Sequence, residues 1–254
     1  MSKELTGGFI NRVSQDDGTV RKIFTHDELV GIPNIRRKRN ETAALSFFDG
    51  SIAPKLLEEG ETYIIQEFIP GELYERRAKR GDDVFDEAGK LLAKIHKPYS
   101  GNLPILEKYY KKKFEKAVLT AHDILIQENI SIIFDPDWQE VRTCGITCLH
   151  KDFWLGNIIG NGDNNPKAID WEFAGVGSPY EDFAIVDLWI IREFNAAAHK
   201  FWEGYGMIPD SRTVSAFLKL KCIEFLATTT AQAYNKEDAD GFYHNKIFIL
   251  RNLL

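Results

Sequence analysis

Hydrophobic positions change their period along the chain. In the first part the period is two: Val20, Lys22 and Phe24 fall on one face of a strand and Arg21 and Ile23 on the other. Residues 5–24 read as two strands turning at Asp16-Asp17-Gly18. The runs Ile52 to Leu57, which contains Pro54, and Thr62 to Ile69 read as further strands. Between them Asn34 to Asp49 has a helical pattern through Ala43, Ala44, Leu45, Phe47 and Phe48, closed by Gly50. Pro70-Gly71 suits a chain leaving a sheet. Beyond it the pattern is helical. Val84, Ala88, Leu91, Leu92 and Ile95 line one stripe that ends at His96-Lys97-Pro98, and helical stretches follow at 106–129, 180–194, 213 to about 233 and 242–254. The chain therefore reads as α+β, with a small antiparallel sheet and one helix ahead of a larger, mostly helical part.

One segment breaks the helical trend. Asn157-Ile158-Ile159 and Ala168-Ile169-Asp170 are strand-like runs joined by Gly160-Asn161-Gly162-Asp163-Asn164-Asn165-Pro166, whose glycine, asparagine and aspartate tolerate positive φ. A hairpin closed there brings Asn157 and Asp170 together, with Asp152 on the loop feeding the same end. Two carboxylates and a carboxamide are oxygen donors for a hard cation such as Mg²⁺, which takes a few protein oxygens and completes its shell with substrate phosphates. The segment reads as a site for a metal-bound nucleotide.

His150-Lys151-Asp152, Asn157, Ile169-Asp170-Trp171-Glu172 and Gly177-Ser178-Pro179-Tyr180-Glu181-Asp182-Phe183-Ala184 together resemble the catalytic region of the aminoglycoside phosphotransferase and choline kinase group. The resemblance implies a protein kinase-like fold of two lobes, with residues 1–70 as the nucleotide-binding lobe and 71–254 as the catalytic and acceptor-binding lobe. It makes Asp152 the base for the acceptor hydroxyl, gives Asn157 and Asp170 to magnesium, places Ile169 with the nucleotide, and has Asp182 brace the catalytic loop. The sequence departs from the group at Lys151, where glycine or asparagine is usual. A lysine there is expected to meet a γ-phosphate, narrow the acceptor pocket or point to solvent.

The resemblance extends, less strongly, to the sheet region. Lys22 falls between apolar neighbours on the inward face, a costly place for an ammonium without partners, and by resemblance those partners are ATP phosphates and Glu41 of the following helix. Arg21 is the alternative. Gly7 and Gly8 are expected in the loop that covers the nucleotide, and Gln66, Glu67, Phe68 and Ile69 in the linker whose backbone pairs with adenine. His150 is expected to order its loop, and His96 to sit at a helix end where the dipole favours it.

Charge narrows the partners. A formal net charge of −6 over 254 residues argues against a general nucleic-acid binder. The runs Arg36-Arg37-Lys38-Arg39 and Lys111-Lys112-Lys113 are therefore read as solvated helix faces. From Cys148 to His199 eight acidic residues stand against three basic ones, which points to a cationic acceptor such as an aminoglycoside or an amine. Cys144, Cys148 and Cys222 form no disulfide framework or usual metal spacing. The longest apolar run, Phe183 to Ile191, is interrupted by Asp187 and too short to span a bilayer, and the N-terminal residues lack an apolar signal region, so no membrane partner and a cytoplasmic setting are expected.

The expected activity is transfer of the γ-phosphate of ATP or GTP to a small-molecule hydroxyl, with Mg²⁺. The acceptor is aminoglycoside-like or otherwise cationic, or else of the choline, ethanolamine, thiamine or sugar kind. A protein kinase is disfavoured, because only about ten residues separate Asp170 from Glu181-Asp182, too few for a long activation segment. A non-catalytic nucleotide-binding scaffold is the further alternative.

Overall fold

The computed structural model describes residues 3–4, 11–25, 28–29, 32–99, 106–160, 165–195, 198–229 and 236–253. A five-stranded antiparallel sheet is built from β1 (Lys3–Glu4), β2 (Arg12–Asp16), β3 (Thr19–Ile23), β6 (Leu56–Glu59) and β7 (Tyr63–Glu67), in the order β1-β2-β3-β7-β6. The turn at Asp17-Gly18, both at positive φ, sets the register Val13↔Lys22 and Gln15↔Val20. Val20, Lys22 and Phe24 are buried on the inner face, while the Arg21 guanidinium lies outside, 4.0 Å above the Tyr63 ring. A short pair, β4 (Glu28–Leu29) and β5 (Ile32–Pro33), leads into helix α1 (Asn34–Phe48), which ends with Asp49 in the left-handed region. The strand expected from Ile52 begins only at Leu56: residues 51–53 form bends, and Pro54 has no amide to give a ladder.

From Glu72 onward helices dominate: α2 (Tyr74–Lys79), α3 (Phe85–Ile95), α4 (Leu106–Thr120), α5 (His122–Gln127) and α6 (Trp138–Cys144). The hairpin of β10 (Ile158–Gly160) and β11 (Lys167–Ala168) pairs Ile158 with Ala168 and continues onto β8 (Glu72–Leu73). A Cβ on Gly71 would come within 2.8 Å of the Gly160 backbone, so the chain leaving the five-stranded sheet requires glycine where it crosses this hairpin. A second small pair joins β9 (Thr147–Leu149) to β12 (Gly175–Gly177).

Helix α7 (Tyr180–Val186) continues through a wide π-type turn at Asp187–Ile191 into α8 (Arg192–Phe194), and then α9 (Ala198–Tyr205), α10 (Ser211–Thr229) and α11 (Lys236–Asn252) follow. Helices α3 and α9 cross where a Cβ on Gly89 or Gly204 would lie 2.1 Å from a carbonyl oxygen of the other helix. The apolar stripe of α3 (Ala88, Leu91, Leu92, Ile95) joins Phe153, Trp171, Phe183 and Phe217 in one core that packs against the segment from His150 to Glu172. Among the described residues no helix is long and apolar enough to cross a membrane.

Candidate active site

Strand β9 delivers His150, Lys151 and Asp152 into a turn held from beneath by Asp182. Its Oδ2 accepts the His150 amide at 2.8 Å and its Oδ1 the Lys151 amide at 2.6 Å. Lys151 sits at φ 66, a conformation an L residue adopts when its surroundings enforce it, and the aspartate supplies that enforcement. His96 Nε2 lies 3.0 Å from the same carboxylate and its Nδ1 2.8 Å from the Tyr205 hydroxyl, so His96 is a buried supporter of Asp182 as well as a helix end. Burial tends to raise the Asp182 carboxyl, but the His96 and amide contacts outweigh it and keep it below its usual range. The His150 ring is fully buried and meets the Ile169 carbonyl through Nε2 at 3.0 Å. Burial pushes its imidazole below the ordinary range, so the neutral ring donates from Nε2 and ties the loop to the hairpin.

Asp152 follows, half-buried. Asn157, in the single turn Leu155–Asn157, donates its amide to the Asp152 carbonyl at 2.9 Å and carboxylate at 2.8 Å. With Nδ2 turned to Asp152, the Asn157 Oδ1 is left as an oxygen donor. Burial, then the nearby Asp170 charge, pushes the Asp152 carboxyl up to about 7.

Asp170 leaves β11 at φ 64, which aspartate tolerates better than most residues, and keeps 38% of its side chain exposed. Its Oδ1 is 2.5 Å from Lys22 Nζ, which also lies 2.5 Å from Glu41 Oε2 and 3.8 Å from Glu172 Oε2. The structure thus brings the strand lysine, the helix glutamate and the hairpin aspartate to one point. Burial works against the Lys22 ammonium, but these carboxylates hold it protonated well above its usual range. The same ammonium keeps the Asp170 carboxyl below its ordinary value despite burial.

Two further participants escaped the sequence reading. Arg37 Nη1 meets Glu172 Oε2 at 2.9 Å, and Asn11 Nδ2 donates to the same oxygen at 2.8 Å. The solvated-face expectation for residues 36–39 is therefore corrected: Arg37 and Lys38 are buried, Lys38 reaching Glu59 at 2.7 Å, and only Arg36 and Arg39 are exposed. Arg37 and Glu41, four residues apart, share the inward helix face, a spacing that could have flagged the pair. Glu41, Asp170 and Glu172 place carboxylate oxygens within 4.8 Å of one another. Glu41 and Glu172 are taken up by Lys22 and Arg37, which leaves Asp170, the most exposed of the three carboxylates, and Asn157 Oδ1 as oxygen donors that fit a hard divalent ion.

On the linker side, Gln66 is buried at the end of β7 and Glu67 Oε2 binds Lys167 at 3.0 Å. The Glu67 amide donates to the Lys55 carbonyl and the Phe68 amide to the Gly18 carbonyl. Phe68 and Ile69 are half-buried, as is Ile169, whose amide donates to the Asn157 carbonyl at 2.9 Å. Gly7 and Gly8 lie outside the described residues.

Beside Asp152, Lys151 turns to Glu181, with Nζ 3.5 Å from Oε1, rather than to solvent. Glu181 is fully buried and also receives the Tyr110 hydroxyl at 2.7 Å, Lys113 at 2.8 Å and Lys221 at 3.4 Å. Here too the solvated-face reading needs correction. Lys111 and Lys112 are exposed, whereas Lys113 points inward to a buried carboxylate 68 residues away.

A family model for the phosphotransferase enzyme family matches residues 2–217. No curated protein matches significantly. Among solved structures, a choline/ethanolamine kinase family protein from Mesorhizobium loti superposes with a TM-score of 0.67 at 15% identity, over 100% of this chain and 87% of its own. Choline kinase LicA from Streptococcus pneumoniae gives 0.64 at 16%, over 99% and 94% of the two chains. ADP-bound aminoglycoside phosphotransferase APH(2'')-Ib gives 0.61 at 16%, over 98% and 94%. At such identities the superpositions speak for the fold, an antiparallel sheet followed by a helical part, and the match over residues 2–217 carries the further conclusion that the chain belongs to the phosphotransferase enzyme family.

Proposed function

We propose that this phosphotransferase moves the γ-phosphoryl group of ATP or GTP to a hydroxyl of a small molecule. The observation that carries the reading is the convergence of Lys22 on both Glu41 and Asp170, next to a carboxylate, Asp152, held by Asn157. Residues 1–70 form the nucleotide-binding lobe and 71–254 the catalytic and acceptor-binding lobe. Lys22, kept in place by Glu41, neutralises nucleotide phosphates. The Glu67 and Phe68 amides are engaged within the protein, so Ile69 provides the linker N–H for the base, and Gln66 and Ile169 border it. By resemblance Gly7 and Gly8 would belong to the loop over the phosphates. Asn157 Oδ1 and Asp170 would hold Mg²⁺, which would supply charge neutralisation for the nucleotide phosphates.

Asp152 accepts a hydrogen bond from the acceptor hydroxyl and aims its oxygen at the γ-phosphorus. As the new oxygen–phosphorus bond forms, the bond to the β-phosphate oxygen breaks, the nucleoside diphosphate leaves and Asp152 takes the proton. Most of the acceleration comes from positioning and charge. The setting is cytoplasmic, where ATP is available, with no nucleic-acid or membrane partner.

The sequence favours a cationic acceptor on its acidic surplus, and an aminoglycoside would make the protein a resistance enzyme. The decisive experiment is nucleotide turnover by purified protein with Mg²⁺ across aminoglycosides, choline, ethanolamine, thiamine and sugars, with Asp152→Ala beside it. Acceptor-dependent turnover lost in the variant supports the kinase; turnover equal in the two proteins refutes Asp152 as the base. Nucleotide binding with no acceptor-dependent turnover favours the scaffold.

A further inference from the structure

The acidic surplus counted along the catalytic segment is largely paired off inside the protein. Asp170 is bound to Lys22, Glu172 to Arg37, Glu181 to Lys113, Asp182 to His96 and two amides, and Asp187 to Arg192. Next to Asp152 the charge has the opposite sign. Lys113 of α4, Lys151 of the catalytic loop and Lys221 of α10 all lie within 3.5 Å of Glu181. Glu224 is the second carboxylate of the group, 3.1 Å from Lys113 and 3.5 Å from Lys221.

Within the group three ammonium groups face two carboxylates, and the one positive charge over is set toward the Asp152 carboxylate, on which Lys221 acts. One lysine is enough to neutralise a buried glutamate, so ion pairing of Glu181 does not account for three lysines drawn from three separate segments. Lys113 and Lys151 each keep about a fifth of their side chains open, at 21% and 19%, while Lys221, at 9%, is buried behind them. The group adjoins the base through Lys151, its neighbour in the chain, and Lys221 is near enough for its charge to favour the ionised form of Asp152. Lysines act as adaptable point charges with three donors each, suited to carboxylate or phosphate oxygens.

We propose that Lys113, Lys151 and Lys221 bind an anionic oxygen group, carboxylate or phosphate, on the acceptor whose hydroxyl is phosphorylated. The inference rests on the kinase reading above and replaces its cationic acceptor with an anionic one. It makes the lysines specificity-determining, while Asp152 and Asp170 keep the roles assigned to them.

The test compares transfer from ATP·Mg²⁺ to matched acceptors: glucose, glucosamine, gluconate and glucose 6-phosphate, then glycerol, ethanolamine and glycerate. Wild type, Lys221→Gln and Lys113→Gln are compared. Either variant leaves Glu181 two lysines, so the buried carboxylate stays paired, and thermal melting checks the fold. The anionic member of a set is expected to exceed its neutral and cationic counterparts by about tenfold or more in kcat/KM, and each variant to lose most of that preference. The KM for ATP should move less than about twofold, since the nucleotide is held by other groups. Gluconate against glucose 6-phosphate separates carboxylate from phosphate.

Transfer to cationic or neutral members at equal or higher efficiency, abolished by Asp170→Ala, overturns the anionic acceptor and leaves the kinase standing. If no compound is phosphorylated, calorimetric titration of inorganic phosphate into protein loaded with a non-hydrolysable ATP analogue and Mg²⁺ decides. Binding weakened in Lys221→Gln supports the lysine site, and binding that is absent or unchanged in the variant overturns it.

Discussion

Arg37 and Glu172, 135 residues apart, meet at 2.9 Å with 0% and 1% of their side chains exposed. The helix behind the sheet is thereby joined to the segment that carries Asp170, two residues before Glu172. Taking two charges out of water is costly, and their attraction offsets the cost only when both are present. Arg37→Met strands the carboxylate with Asn11 and a lysine 3.8 Å away, and about 3–5 kcal/mol of stability should be lost. The double variant Arg37→Met/Glu172→Leu should lose clearly less than the sum of the two single changes. Urea unfolding of all four proteins measures the coupling, and additive losses would show that the pair is not a unit.

The pH profile of turnover follows from Asp152. Burial and the Asp170 charge push its carboxyl up to about 7, so the ionised base forms only as pH rises through that value. For the free enzyme kcat/KM should climb from pH 5 to about 8 and then level off. Stability has the opposite trend. The folded carboxyl binds its proton more tightly than the unfolded one, so stability falls as pH rises from about 4 toward 7. Asp152→Asn should therefore be inactive, yet gain in melting temperature over wild type more at pH 8 than at pH 5. An equal difference at both values would mean that the carboxyl titrates in its ordinary range.

What local pattern controls was legible in the sequence. The Asp17-Gly18 turn, the inward face of Val20, Lys22 and Phe24, the extent of α1 and the hairpin joining Ile158 to Ala168 all depend on residues close together in the chain. Strand β1 was not anticipated, since two residues carry no period. The direction of the charged side chains was illegible for a different reason. Arg37, Lys113 and Lys221 are buried or inward because a carboxylate arrives from 135, 68 and 40 residues away. A lysine run on a helix reads as solvated until that partner is known. Counting charges along the segment likewise ignores which are already paired: Asp170, Glu172, Glu181, Asp182 and Asp187 all have partners inside the protein.

Lys22 offers a test of the nucleotide side. Lys22→Met removes the cation standing 2.5 Å from both Glu41 and Asp170. Because the fixed ammonium acts on charge developing during transfer, kcat/KM should fall by about 10²–10³. Moving the base to pH 8 should not restore it. Arg21→Met, one residue away on the outer face against Tyr63, should stay within about twofold of wild type and serves as the control. Comparable losses in the two variants would contradict the assignment to Lys22.

Asp182 touches no reacting group in this scheme, yet its removal should reach the chemistry. Its two oxygens take the amides of His150 and Lys151, at 2.8 and 2.6 Å, immediately before Asp152, and one of them also meets His96 at 3.0 Å. Asp182→Asn keeps the shape, but one of its two positions becomes an NH₂ facing a backbone N–H. At least one buried amide then loses its acceptor, for about 1–3 kcal/mol of stability. The turn that carries the left-handed Lys151 thereby loses one of its two anchors. The loop should relax and the aim of Asp152 with it, lowering kcat by about tenfold to a hundredfold with little change in the KM for ATP. The pH midpoint separates this from a general loss of fold. A displaced Asp152 is better solvated, so the rise in kcat/KM should shift to lower pH in the variant. A folded variant with reduced kcat and an unshifted midpoint would mean that Asp182 does not act by placing Asp152.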